Sequence, residues 1–196
     1  MIFFTAPDGK KATILKITDS LPEEELRMAI PVDSIPDGPI FLHMLKEYRD
    51  TRVAARSGES IKVGDKFPVF KAIDLDGNTW SNKDIEGKVM VLNLWFSGCG
   101  PCRAEMPELS EWKKTIPDVM FFASTYEDPE TVRYVLDRTE FNWIQLVQDT
   151  QFFKWTGTKG YPLTLIVDKS GIVSHVEYGT SSAKREALRQ KILELL

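Results

Sequence analysis

Cysteine is almost absent from this chain of 196 residues, which contains only Cys99 and Cys102. Small secreted proteins that depend on disulfides for stability carry several such pairs, so the sequence argues against that class. The chain can form only one disulfide within itself, and any thiol chemistry must use this pair. Bridging residues three apart closes a very short loop, so a purely structural bridge would stabilise the fold only slightly.

Excess positive charge and long apolar runs are also missing, and only two histidines are present. The 29 Asp and Glu residues outnumber the 25 Lys and Arg residues, giving a net charge of −4. Nucleic acid is therefore not expected as the main partner, because phosphate binding depends on clustered cations. No apolar run approaches the roughly 20 residues that span a bilayer, so no transmembrane segment is expected in this chain.

Two kinds of cofactor are not predicted. The only histidines, His43 and His175, lie far apart and lack the ligand spacing that would complete a zinc site with the cysteines. No glycine-rich phosphate loop is present, so neither a flavin nor a nucleotide is expected. The segment Met1–Pro7 lacks the basic region of a signal peptide and is too short for its apolar core. Either the protein is cytosolic, or the sequence is a mature form from which an export signal was removed.

The two cysteines follow a sequence typical of a buried strand. Residues 88–96 form an almost continuous apolar run, which favours a strand covered on both faces. A turn follows, and a helix is predicted to begin at Cys102, which puts Cys99 at or near the helix N-terminus. Free backbone N–H groups and the helix dipole stabilise an anion there. A thiolate is such an anion and is the reactive form of cysteine.

Residues 1–58 are predicted to form an N-terminal β-plus-helix extension, separate from a domain at 59–196. Residues 2–4 and 12–17 flank Asp8-Gly9, a pair favoured in tight hairpin turns. Alternating apolar residues predict a strand at 26–30, and helical apolar spacing predicts a helix at 40–55. The role of this extension is not predicted.

Residues 59–196 predict an α/β domain, with a mixed central sheet and helices on both faces. Hairpins are expected at 67–81 and 163–176, and further strands at 119–125 and, on the sheet edge, at 143–147. Shorter helices are predicted from Asp128 and at 149–155. Two longer helices have a clear apolar face: Met106, Leu109, Trp112 and Ile116 after the cysteines, and Ala187, Leu188, Ile192 and Leu195 at the C-terminus.

Three segments of this domain carry a family resemblance. The segment Trp95–Pro107, with its Cys-Gly-Pro-Cys centre, resembles the active-site segment of the thioredoxin superfamily, and is most similar to the TlpA/ResA-type thiol–disulfide oxidoreductases, which overlap with the AhpC/TSA-like redoxins. Gly160–Thr164 resembles the cis-proline loop of that family, and Asp168–Gly171 resembles the hairpin turn after it. The resemblance covers residues 61–196.

The resemblance implies a thioredoxin-like fold and a redox-active disulfide as the only redox group. Cys99 would be the exposed nucleophile, and Cys102 the more shielded cysteine that resolves the mixed disulfide. Protein disulfides would be the substrates, and a separate thiol partner would reduce the pair again. Pro162 would be a cis-proline facing the cysteines, and the backbone of Tyr161 would pair with an extended substrate strand. Pro101 would set the turn, and Trp95 would pack beneath it, with a minor part in substrate contact.

The sequence departs from the family pattern at two positions. Gly98 stands where the family commonly has tryptophan, and is expected to leave more open space beside Cys99. Asn93 stands where thioredoxin has a buried aspartate, so an assisting acid must come from elsewhere. The resemblance implies a glutamate just after the next strand, which Glu127 matches, with Asp128 as the alternative. A solvated Glu127 near a helix N-terminus is an equally good interpretation.

Two other functions are weighed against thiol–disulfide exchange. One is a thiol peroxidase, but peroxiredoxins have threonine three residues before the reactive cysteine, where this chain has Phe96. The other is a partner-binding module in which the N-terminal extension docks a partner and the redox centre is secondary. The resemblance favours the periplasm or cell envelope over the cytoplasm.

Overall fold

The computed structural model describes residues 2–5, 11–14, 61–157 and 160–196. The chain divides into two compact units, Met1–Val53 and Ala54–Leu196. In the first unit, strand β1 (Ile2–Thr5) pairs antiparallel with β2 (Lys11–Ile14), as the sequence predicts. The turn at Asp8-Gly9, the strand at 26–30 and the helix at 40–55 lie outside the described residues. The domain boundary between residues 58 and 59 remains a prediction.

The second unit is a mixed sheet with helices on both faces, which confirms the predicted thioredoxin-like class. Its elements in chain order are β3 (Lys71–Ile73), β4 (Thr79–Ser81), α1 (Asn82–Ile85), β5 (Met90–Leu94), α2 (Gly100–Thr115), β6 (Met120–Ser124), α3 (Pro129–Leu136), β7 (Ile144–Leu146), α4 (Gln151–Thr156), β8 (Leu163–Val167), β9 (Val173–Tyr178) and α5 (Ser182–Glu194). Strands β3 and β4 form a hairpin, and the other five form one sheet in the order β7-β6-β5-β8-β9. Strand β5 runs parallel to β6 and antiparallel to β8.

Strand β5 lies in the middle of this sheet and separates two apolar cores. All five of its residues are buried, as its apolar sequence predicts. Val91 packs in one core with Met106 of α2. Leu92 and Leu94 pack in the other core, with Phe152 of α4. Because successive strand side chains point to opposite faces, each core covers one face of the sheet.

The helices bury the faces that their sequences predict, with one exception. In α2, Met106, Leu109, Trp112 and Ile116 are all buried. In α5, Leu188 and Ile192 are buried, but Ala187 is exposed. Residues four apart share a helix face, whereas neighbouring residues are about 100° apart around the axis, so Ala187 turns away from the core. Within the described part of the chain, no helix is long and apolar enough to cross a bilayer.

Two element boundaries differ from the prediction for local reasons. Helix α4 begins at Gln151, after the N-cap residue Thr150, and the carboxylate of Asp149 accepts the Gln151 N–H at 2.8 Å. Strand β3 is limited to Lys71–Ile73, because the N–H of Phe70 donates to Asn82 Oδ1 at 2.8 Å and leaves the strand pairing. Strand β7 lies at the sheet edge, as predicted.

Three chain segments meet at one edge of the sheet. Leu94, the last residue of β5, pairs with Ser124 at the end of β6 and with Leu163 at the start of β8. Because β6 is parallel and β8 antiparallel to β5, the segments after residues 94 and 124 lie beside the segment before residue 163. The Trp95 N–H donates to Ser124 O at 3.1 Å and continues the pairing. This edge carries both cysteines.

Candidate active site

Cys99 and Cys102 form a disulfide at the N-terminus of helix α2. The helix begins at Gly100, two residues before the predicted start, and Cys99 is its N-cap residue. The Cys99 sulfur accepts the Cys102 N–H at 3.2 Å. Pro101 has no N–H to donate, and the N–H that reaches the Cys99 sulfur belongs to the third residue of the helix. A thiolate at Cys99 therefore meets a backbone donor and the positive end of the helix dipole.

Both cysteines are buried, which corrects the prediction of an exposed Cys99. Cys99 exposes 5% of its surface and Cys102 exposes 1%, so Cys102 is the more shielded of the two, as predicted. Both side chains belong to the apolar core beneath α2, together with Met106 and Trp95. Because the pair is anchored in this core, only a small part of the Cys99 sulfur faces outward in the oxidised protein.

Pro162 lies next to the cysteine turn, across the β5–β8 pairing. The Tyr161–Pro162 peptide bond is cis, as the resemblance implied. Leu163 opposes Leu94, so Pro162 and Trp95 are the next positions outward on neighbouring strands. The carbonyl of Pro162 accepts the Gly179 N–H at 2.8 Å, which ties this loop to the end of β9.

Trp95 lies entirely inside the protein. It exposes none of its surface and packs in the core with both cysteines. Its ring N–H has no hydrogen-bond partner among the described residues. This position supports the predicted packing role beneath the turn, but it offers no surface for the predicted contact with a substrate.

Gly98 is exposed, but the ring of Phe96 takes up part of the space that the prediction left open beside it. A β-carbon at Gly98 would lie 3.0 Å from Cε2 and 3.4 Å from Cδ2 of Phe96. The absence of a side chain at residue 98 therefore lets the ring of Phe96 lie across the turn. Sequence reasoning missed this because it considered Phe96 only as the residue at the peroxiredoxin threonine position.

Glu127 holds the segment that leads into the cysteines. Its carboxylate accepts the Ser97 N–H at 2.7 Å and the Ser97 hydroxyl at 2.5 Å. Burial has the largest influence and raises the pKa of Glu127, while the hydrogen bonds from Ser97 and Thr125 act in the opposite direction. Glu127 is thus a half-buried carboxyl with fixed partners and not a solvated one.

Asp128, the alternative acid, has a different position. Its carboxylate accepts the Thr131 N–H at 2.9 Å and caps helix α3. Partial burial acts against ionisation, but the hydrogen bonds from Thr131 outweigh it and lower the pKa of Asp128. Asp128 is exposed and serves the helix, whereas its neighbour Glu127 reaches the cysteine segment.

Glu105 is a second carboxyl that sequence reasoning missed. It follows Cys102 by three residues on α2 and exposes 3% of its surface. Asn93 Nδ2 donates to Glu105 Oε1 and to Thr164 Oγ1, both at 3.0 Å. The signal was present in the sequence, because residues three apart on a helix share a face and residues 102, 106 and 109 all point inward.

The polar neighbours of Glu105 link α2 to the C-terminal helix. Burial raises the pKa of Glu105, and the hydrogen bonds from Thr180 and Asn93 oppose this rise, as does the positive charge of Arg185. Arg185 donates to Thr180 Oγ1 at 2.8 Å and forms an ion pair with Glu108 at 2.6 Å. The carboxyl of Glu105 is therefore held in a polar chain whose members oppose its protonation.

The titratable residues of the described ranges form no group that could hold a metal ion. Within residues 61–157 and 160–196, no cluster of three His, Cys, Asp or Glu side chains is arranged to hold a metal ion. His175 lies on β9, 3.7 Å from the carboxylate of Glu177. The disulfide at the start of α2 is the redox centre of the described chain.

The comparisons with known proteins agree with this geometry. The Redoxin family model matches residues 62–192. The thioredoxin-like protein YneN of Bacillus subtilis (strain 168) is 28% identical over 137 residues, which cover 67% of this chain and 79% of YneN. The thiol-disulfide oxidoreductase ResA of Bacillus thuringiensis subsp. konkukian (strain 97-27) is 24% identical over 139 residues, or 68% of this chain and 80% of that protein.

A solved structure shows the same fold. The crystal structure of a protein from Chlorobium tepidum, assigned as a thiol:disulfide interchange protein DsbE, is 26% identical and has a TM-score of 0.64. The likeness covers 69% of this chain and 99% of that one.

Proposed function

Because the chain belongs to the Redoxin family, we propose that it is a thiol–disulfide oxidoreductase that reduces disulfides in proteins. The observation that carries this proposal is the Cys99–Cys102 disulfide at the N-terminus of α2, beside a cis-proline loop. The named relatives YneN and ResA, and the DsbE-like structure, support the same class of reaction.

The first step is attack by reduced Cys99 on a substrate disulfide. The Cys99 thiolate forms a new S–S bond with one substrate sulfur, and the other substrate sulfur leaves as a thiolate. The Cys102 N–H, 3.2 Å from the Cys99 sulfur, and the helix dipole stabilise the attacking thiolate.

The second step releases the reduced substrate. Cys102 loses its proton and attacks the Cys99 sulfur, which forms the internal disulfide and expels the second substrate thiolate. Two carboxyls with raised pKa are candidates to accept the Cys102 proton. Glu105 is on the same face of α2, and Glu127 is joined to Ser97. The deeper burial of Glu105 and its helical spacing from Cys102 favour it as the proton acceptor, with Glu127 positioning the cysteine turn.

The substrate binds beside the disulfide as an extended segment. In our proposal the backbone of Tyr161 pairs with the substrate, because β8 begins only at Leu163 and Pro162 has no N–H to donate to a neighbouring strand. Gly98 and Pro101 form the other side of the site, and both are exposed. A thiol donor reduces the internal disulfide after each cycle. A compartment in the cell envelope remains part of the proposal, and fractionation of cells producing the full chain tests it.

Covalent trapping tests the assigned roles. Without the Cys102 thiol, the mixed disulfide on Cys99 has no internal exit. Cys102→Ser should therefore accumulate disulfide-linked adducts with substrate proteins, and they should disappear on addition of dithiothreitol. The matched control is the double variant Cys99→Ser/Cys102→Ser, which should trap nothing. Adducts that persist in Cys99→Ser alone, at the level of Cys102→Ser, would reject the assignment.

Two further assays separate the other functions. Reduction of insulin disulfides by the wild-type protein is expected, whereas a thiol peroxidase would consume hydrogen peroxide at a comparable or higher rate. A partner-binding module would capture its partner through residues 1–58 alone and would retain that binding in the double cysteine variant.

A further inference from the structure

Phe96 contributes an aromatic ring to the cysteine site from an unexpected position. Its Cε2 atom lies 3.0 Å from where a Gly98 β-carbon would be, so ring and glycine fit each other. This contact would be tighter than nine in ten real β-carbon contacts, so a side chain at residue 98 requires the ring to move by a few tenths of an ångström. The conformation of Phe96 therefore depends on glycine at residue 98.

The ring of Phe96 joins the two loops on either side of the site. It packs edge-to-face against Tyr161, with ring centroids 5.4 Å apart. It also stacks on Tyr126, at a centroid distance of 6.3 Å. Tyr161 precedes cis-Pro162, and Tyr126 precedes Glu127, which holds Ser97.

A fourth ring, on helix α4, contacts two of these three rings. Phe153 of α4 packs against Tyr126 at 5.2 Å and against Tyr161 at 5.5 Å, so the four rings form a closed cycle. Phe153 is fully buried, while Phe96, Tyr126 and Tyr161 are half-buried. The three partly buried rings therefore rest on a buried base.

We propose that Phe96 and Gly98 act as a pair that determines which protein disulfides are accepted. Gly98 leaves the backbone before Cys99 without a side chain, and the ring of Phe96 forms an apolar wall between the cysteine turn and the cis-proline loop. A substrate segment with an apolar or aromatic side chain next to its half-cystine packs on this wall. The inference rests on the proposed reductase function and adds to it the class of substrate.

The pairing predicts how the two residues depend on each other. Removing the ring takes away the wall. Adding a β-carbon at residue 98 displaces the ring by a few tenths of an ångström beside Tyr161, and so disturbs the same wall indirectly and by less than removing the ring. The two changes act through one contact, so their effects should not add.

The experiment measures single turnovers of the fully reduced, full-length protein with two cyclic disulfide peptides. The peptides are identical except for Phe or Ser next to one half-cystine, and oxidised glutathione serves as a small disulfide. One electron pair passes from the protein dithiol to each peptide disulfide, so no further reductant is needed. Acid quenching and chromatography give the limiting rate and the half-saturating peptide concentration.

Phe96→Ala should raise the half-saturating concentration of the Phe peptide about tenfold, the factor that corresponds to about 1.4 kcal/mol. The limiting rate, the Ser peptide and oxidised glutathione should change less than about threefold. If Phe96→Ala fails to fold, Phe96→Leu replaces it in the experiment. Phe96→Leu keeps an apolar side chain and should give a smaller rise in the half-saturating concentration of the Phe peptide. Tyr134→Ala removes an exposed aromatic ring elsewhere, and should have no effect.

Gly98→Ala should raise the half-saturating concentration of the Phe peptide when Phe96 is present. In the Phe96→Ala background, Gly98→Ala should change it little further. Equal losses for both peptides and oxidised glutathione, or additive effects of the two substitutions, would overturn the inference, because the ring would then only support the cysteine turn. Failure of the wild-type protein to reduce either peptide would instead reject the proposed reductase function.

Discussion

At position 93 a buried acid could accept a proton from a cysteine. In this protein the carboxyl is supplied by Glu105, and Asn93 holds it in place. Asn93 cannot accept a proton from a cysteine, but its amide donates to Glu105 and Thr164 and fixes the carboxyl in the core. Arg185 and Thr180 approach the same carboxyl from the C-terminal helix. Burial nevertheless has the largest influence and raises the pKa of Glu105, so this group suits a role as proton acceptor nearer neutral pH than a free carboxyl.

The raised pKa of Glu105 predicts how stability depends on pH. The folded protein holds this proton more tightly than the unfolded chain, so the contribution of the group to stability is present at low pH. It is lost as pH rises from the ordinary pKa of 4.5 through the raised folded pKa. Glu105→Gln removes this loss, so the difference in unfolding free energy, variant minus wild type, should grow as pH increases over that range. Urea unfolding of the oxidised proteins at a series of pH values measures it.

The control for this prediction is Glu130→Gln, which removes one exposed carboxylate on helix α3. Curves for wild type and Glu105→Gln that stay parallel across the pH range would show that burial does not shift this carboxyl. The prediction concerns the oxidised state, because both cysteines are then bonded and do not titrate.

The loop between β6 and α3 shows how one short connection serves two elements. Glu127 turns toward the cysteine segment, and Asp128 turns toward its own helix, where it caps the first turn. Asp128→Ala should lower the unfolding free energy by about 1 kcal/mol, the usual effect of losing an N-cap, with little change in the rate of thiol–disulfide exchange.

Glu127→Gln leaves one acceptor oxygen for two donors of Ser97, and should slow thiol–disulfide exchange by roughly tenfold.

Chemical denaturation and insulin reduction on the two variants measure both effects. Asp128→Asn is the milder comparison for the cap, because asparagine also caps helices well. A large loss of activity in Asp128→Ala with normal activity in Glu127→Gln would reverse the assignment of the two carboxylates.

The elements of the domain followed from the sequence where one physical signal dominated. The apolar run of β5 fixed its buried central position, and the spacing of Met106, Leu109 and Trp112 fixed the inner face of α2. Ala187 was misassigned because alanine fits either face of a helix and carries little information about burial. The start of α4 coincides with a hydrogen bond from the Gln151 N–H to the carboxylate of Asp149, which periodicity cannot detect.

The site was less predictable because its contacts join distant parts of the chain. The cysteine pair and cis-Pro162 followed from local motifs and a family resemblance. The contact of Phe96 with Tyr161 and that of Glu105 with Thr180 cross loops far apart in sequence, and neither has a local signature. The depth of Cys99 was also missed, because a helix N-terminus indicates electrostatics and not exposure.

At the scale of the whole molecule, the structure describes the redox domain over residues 61–157 and 160–196. Ile61 is buried, and the Gly64 N–H donates to Val173 O at 2.9 Å, so the chain joins this domain by residue 61. Both apolar cores are formed by residues between Ile61 and Ile192. The fragment 59–196 is therefore expected to fold cooperatively and to reduce insulin.

Circular dichroism during urea unfolding and insulin reduction, each compared with the full chain, test this expectation. A fragment starting at residue 68 is the matched control, because it loses Ile61, Phe67 and their hydrogen bonds and should be clearly less stable. Loss of cooperative unfolding in the fragment 59–196 would show that residues 1–58 complete the domain.

The presence of a single bonded cysteine pair has a practical consequence for following the protein in a cell extract. An oxidised molecule offers no sulfur to an alkylating reagent, and a reduced one offers two. A molecule that takes up only one label has its other sulfur joined to something else. The fraction carrying a single label, read from intact mass after removal of the partner by a reductant, therefore counts the molecules caught in the middle of an exchange.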